Sequence, residues 1–270
     1  MSPIHALRVL SAVAGREVEK FVHQGGRFFS ALVRPLLWLV VFAAGFQNVF
    51  GVSIIPPYET YIPYQVYIAP GLLGMILLFN GMQSSLAMVY DREMGMMRLL
   101  LTAPVPRWFL LLAKLVAGTL LSVLQAIAFL LVAWLLDVEL PVDGMLMALP
   151  ALVLAGMMLG ALGLVLSVHV KQLENFAGTM NFVIFPVFFI SPALYPLWKL
   201  QESGAEWLHQ AARFNPFSHA VELVRFAMYG QFQTTSFLVV TGCLVAFFAV
   251  AVVGYDPQRG MLRKTGGKGG

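Results

Sequence analysis

Five histidines, one cysteine and thirteen acids are the residues of this chain with the means for metal, thiol or acid–base chemistry. Their spacing assembles none of it. His5, His23, His169, His209 and His219 are too scattered for a ligand set, so no metal site is expected. The lone Cys243 lies in an apolar run and has no internal disulfide partner. The patterns G-x-S-x-G, H-E-x-x-H and C-x-x-C are absent. His219, Glu222 and Arg225 make one loose cluster, in which the last two, at i and i+3, read as a surface helix pair. From Gly260 to Lys268 the glycine spacing is wrong for a P-loop, Gly269 follows the lysine, and no strand precedes it. No catalytic residue and no cofactor are expected in this chain, so active transport would draw on an ion gradient or a separate ATPase.

Charge and turn residues concentrate in Tyr90-Asp91-Arg92-Glu93-Met94-Gly95-Met96-Met97-Arg98-Leu99-Leu100-Leu101-Thr102-Ala103-Pro104-Val105-Pro106-Arg107. Asp91 is placed to cap a short helix, with Glu93 in a first turn that favours negative charge. Pro104 and Pro106 end that helix. Met94, Met97 and Leu101 give it an apolar ridge between charges of both signs. Such a helix suits a groove on a partner protein; lying along the interface and capping the bundle is the other use of it.

The elements that carry this segment read as membrane spans. Charged residues are 11% of the chain, against about 25% in a soluble domain, and 59% are hydrophobic. The mean hydropathy is +0.81. So few charges cannot clothe a water-facing surface. The pI of about 9.3 could suggest nucleic acid, but the cations are dispersed between apolar runs, as membrane orientation requires. Six stretches supply the roughly 20 apolar residues a helical span needs: 31–51, 66–90, 107–136, 145–168, 176–198 and 236–254. Counted between them, with Arg34, Arg107 and Lys114 taken as cytoplasmic-edge charges of the first and third stretches, Lys and Arg fall 14 on one side and 3 on the other, which predicts both termini in the cytoplasm. The expected organisation is an arm at 1–30, a six-span domain at 31–254 and a basic tail at 255–270. The first 29 residues lack a central apolar stretch, so the first span should drive insertion.

In the arm, Ile4, Leu7, Val18, Phe21 and Phe28 can share an apolar side, with Arg8, Arg16, Lys20 and Arg27 elsewhere. That predicts an interfacial helix, or else a frayed arm that only sets topology. The 52–65 loop, with Tyr58, Tyr61 and Tyr64 among prolines, reads as an outer rim with an aromatic belt. Asn80, Gln83 and Ser84 share one face of the second span. With Asn181 and Thr179 of the fifth, they either line a path or dimer interface, or bond neighbouring helices. Pro186, Pro192 and Pro196 predict a broken or re-entrant fifth span, followed by short external helices. Gly156, Gly160 and Gly163 predict close helix packing.

The Tyr90–Arg107 stretch resembles the cytoplasmic loop of ABC-2-type transporter permeases in Asp91, Arg92, Glu93, Gly95, Leu100, Leu101, Val105 and Arg107. Met96 stands where the family has a small polar residue, and Ala103 separates Thr102 from Pro104. Ala69-Pro70-Gly71, the run from Phe185 to Leu197, and Asn215-Pro216-Phe217-Ser218-His219-Ala220 with Arg225 resemble further family segments in order and spacing. The resemblance implies that the loop is a coupling helix, with Asp91, Arg92, Glu93, Gly95, Arg98, Leu101, Pro104 and Arg107 against a separate P-loop ATPase. The turn at 169–175 would be a smaller contact. It further implies two permease chains, expected as a homodimer, and two ATPase chains that bind ATP and Mg, in a bacterial inner membrane. The function it implies is export driven by ATP hydrolysis in the partner. An ion-coupled carrier or channel, or a membrane-embedded transferase, are the alternatives. The near absence of acids in the spans speaks against a carrier.

Overall fold

The computed structural model describes residues 3–23, 25–46, 56–93, 106–170 and 172–255, and they form an all-α fold. Eleven helices are described: α1 (Pro3–His23), α2 (Gly25–Phe46), α3 (Tyr64–Glu93), α4 (Arg107–Leu135), α5 (Val142–Met147), α6 (Leu149–His169), α7 (Leu173–Phe189), α8 (Leu197–Glu202), α9 (Glu206–Phe214), α10 (Pro216–Met228) and α11 (Thr234–Gly254). Four of them, α3 over Tyr64–Tyr90, α4, α6 and α11, are long and apolar enough to cross a membrane. Leu32–Phe42 within α2 and Leu173–Phe189 are shorter apolar stretches.

α3 is the central post, touching α2, α4, α6, α7 and α10, while α6 separates it from α11. Its Leu72, Leu73 and Leu77 are fully buried with Leu152, Ala155 and Leu159 of α6. Two such helices approach closely only where side chains are small. A Cβ on Gly81 would stand 3.0 Å from the backbone of Gly160, and one on Gly163 would stand 2.8 Å from the Gly81 carbonyl oxygen. The expected glycine packing is thus the α3–α6 crossing.

Chain breaks follow local chemistry. Pro106, Pro141 and Pro196 precede α4, α5 and α8 in extended conformation. Asn215 caps α10, its Oδ1 accepting the Phe217 N–H at 3.0 Å, and Pro216 fills the first helical position. The predicted fourth span divides into α5 and α6. The predicted fifth span ends at Phe189, three residues after Pro186, the first of the three prolines, and the short helices α8, α9 and α10 follow.

Three expectations are corrected. Residues 91–93 continue α3, so Asp91 lies in its last turn and does not open a new helix. Tyr58 and Tyr64 are buried at 3% and 2% exposure, leaving Tyr61 as the outward ring of the rim. Arg225 is 3% exposed, so its pair with Glu222 is an interior pair and not a surface one.

Candidate functional site

Interest lies at the two ends of α3. At the Glu93 end, α7 begins at Leu173 and its N-cap residue, Gln172, makes no side-chain cap. Its first N–H groups need an acceptor. Glu93, the last residue of α3, supplies one: its Oε1 accepts the Leu173 N–H at 2.9 Å. A carboxylate is unfavourable at the end of its own helix and favourable at the start of another, so the contact relieves the first position through the second. α3 therefore caps α7 across the fold. At the same end His169 closes α6, its Nδ1 2.7 Å from the Val165 carbonyl oxygen. Arg107 opens α4 beside Trp108, which is half exposed. The 169–175 turn and Glu93, predicted as separate contacts, thus meet. Asp91 and Arg92 sit in the last turn of α3, and Gly95, Arg98, Leu101 and Pro104 lie outside the described residues.

At the Tyr64 end, the stop of α7 strands carbonyls that no helix satisfies. Donors from α3 and α10 converge on them. Tyr64 donates to the Leu194 carbonyl at 2.6 Å and Tyr67 to that of Pro192 at 3.1 Å. Arg225 Nη2 donates to Pro192 at 2.7 Å. Asn215 Nδ2 reaches the Val187 and Ile190 carbonyls at 2.7 and 2.6 Å. The Arg225 guanidinium also lies 4.3 Å from the centre of the Tyr67 ring and pairs with Glu222. Burial opposes its charge, but Glu222, followed by Tyr67 and Tyr58, outweighs burial and holds its pKa above the ordinary value. Burial pushes the Tyr58 phenol up, against the pull of Arg225. The corner also presses on Gly71, where a Cβ would stand 2.2 Å from the Ala193 carbonyl oxygen. His219 bonds elsewhere, to Ser236 Oγ and the Arg213 carbonyl.

Of the polar span residues, Asn80 donates to Oε1 of Gln125, a buried amide on α4 that sequence reading passed over. Gln83 is half-buried, Ser84 is exposed beside Gly118, and Asn181 is exposed on α7. The roles of Tyr64, Tyr67 and Arg225 were also missed. A pair of tyrosines at i, i+3 opening a span, facing a proline-broken one, was the available signal.

The model of the ABC-2 type transporter family matches residues 8–229, which takes in both ends of α3 and the corner between α7 and α10. The chain belongs to that family. Among relatives of this ABC-2 protein, the transport permease ycf38 of Porphyra purpurea is 28% identical over 200 residues, 73% of this chain and 66% of that one. The multidrug ABC transporter permease YbhR of Escherichia coli (strain K12) is 26% identical over 172 residues, 62% of this chain and 45% of its own. Nodulation protein J of Rhizobium leguminosarum bv. trifolii is 34% identical over 86 residues, 32% of this chain and 31% of that protein. The chain spans about two thirds or less of the length of these relatives.

Proposed function

We propose that this chain is the membrane-spanning permease subunit of an ATP-binding-cassette exporter, powered by ATP hydrolysis in a separate ATPase chain. The observation that carries the reading is the Glu93–Leu173 contact. It joins the root of the loop after α3 to the start of α7. A push on the loop at 94–105 then reaches two spans together, and both are tied again at the far end through Tyr64 and Tyr67. ATP and Mg belong to the partner on this reading, and the present chain supplies only the docking loop and the moving helices.

The same reading counts α2 and α7 as spans, giving six, with both termini and the Glu93 end in the cytoplasm of a bacterial inner membrane. The bias of Lys and Arg supports it, at 13 to 3 even with Arg34 left out. A second copy of the chain is proposed to cover α7, whose outer face exposes the amide of Asn181 beside Phe182 and Phe185. Lipid offers such an amide no partner, whereas a second chain or a water-filled path does.

Charge reversal tests the coupling loop. In complexes carrying Glu93→Lys or Arg98→Glu, hydrolysis should persist. Nucleotide should no longer alter labelling of a corner cysteine, Tyr195→Cys in a Cys243→Ser background, by an impermeant thiol reagent. Labelling that still responds to ATP in both variants would count against the assignment.

A further inference from the structure

Arg34 was expected at the cytoplasmic edge of the first span. Its guanidinium instead lies 4.0 Å from the centre of the Phe79 ring, halfway along α3. At 1.5 Å per residue, Phe79 is about 21 Å from Glu93 and about 22 Å from Tyr64. A second ruler agrees. Trp38, one turn further along α2, packs on Phe188, about 22 Å along α7 from Leu173. Arg34 therefore sits near the middle of a hydrocarbon layer about 30 Å thick, too deep for its side chain to reach either interface. It is also exposed on the surface of the single chain.

A cation at that depth needs a counter-charge. The spans do not contain one. Residues 31–46, 64–90, 107–136, 149–169, 175–198 and 234–254 include no Asp or Glu, so a second copy of the chain brings none either. Beyond the opening turn of α4, the same segments hold two cations, Arg34 and Lys114. Gln83, one turn from Phe79, puts an amide on the same face of α3.

We propose that Arg34 recognises an anionic group, a phosphate or carboxylate, on an amphiphilic cargo that passes between the spans. The proposal rests on the transport reading above, but its test needs no ATP hydrolysis. The full chain with its ATPase is placed in phosphatidylcholine nanodiscs. Binding is measured for dodecyl phosphate, dodecyl maltoside, dodecyl trimethylammonium and inorganic phosphate.

Dodecyl phosphate should bind about tenfold or more tightly than the other two amphiphiles, as expected for one charge-assisted contact. Inorganic phosphate alone should bind weakly. Arg34→Gln should abolish the headgroup preference, and Arg34→Lys should keep part of it. Equal binding of the three amphiphiles by the unaltered protein would overturn the proposal, whatever the variants do. So would a preference that survives in Arg34→Gln, or free phosphate binding as tightly as dodecyl phosphate. A chain that binds dodecyl phosphate through Arg34 yet never engages an ATPase would instead refute the exporter reading and leave this site standing.

Discussion

Arg225 shows how a single buried charge can hold a shape. Its guanidinium satisfies the Pro192 carbonyl, rests on Tyr67 and is neutralised by Glu222. Removing one member of such a pair strands the other. Arg225→Ala should therefore cost about 3–5 kcal/mol of stability, while the double change Arg225→Leu with Glu222→Leu costs less, since apolar replacement of a whole pair is often neutral. Thermal unfolding of the single and double variants in one detergent checks this. Equal losses would mean that the corner depends on the size of the side chain and not on its charge. Glu93 is the counterpart at the other end: an exposed carboxylate whose role comes from the helix end it faces.

Among the helices, the close approach of the α7 corner to α3 makes a second demand. Gly71→Ala puts a methyl group into the Ala193 backbone, which must shift, and overpacking of this kind costs about 1–3 kcal/mol. Gly242→Ala, where a Cβ meets nothing within 4 Å, is the control and should be close to neutral. Measured midpoints that do not separate the two variants would contradict the packing described here.

Much at this scale was legible beforehand. Apolar runs gave away α3, α4, α6 and α11, because lipid enforces a length and a composition. The prolines at 186, 192 and 196 announced the stop of α7, and Gly156, Gly160 and Gly163 announced a close crossing. Partners were not legible. Nothing in the order of residues tells that Glu93 faces the start of α7, that Gln125 meets Asn80, or that Arg225 turns inward, because each depends on which helices become neighbours. Asp91 misled for a related reason. An acid followed by a first-turn acid is a cap pattern, but α3 simply ran on through it.

For the complete assembly, membership in the ABC-2 family and the ties at both ends of α3 lead to one account. On the proposed function the chain is a passive half whose helices are moved by a partner that hydrolyses ATP. A second copy would shield the polar and charged groups that a lone chain leaves facing lipid at Asn181 and Arg34. Native mass spectrometry of the chain purified from its own membrane tests this most directly. The account predicts a particle of two permease and two ATPase chains that hydrolyses ATP. A chain that stays free of any ATPase and still moves solutes by itself would contradict it.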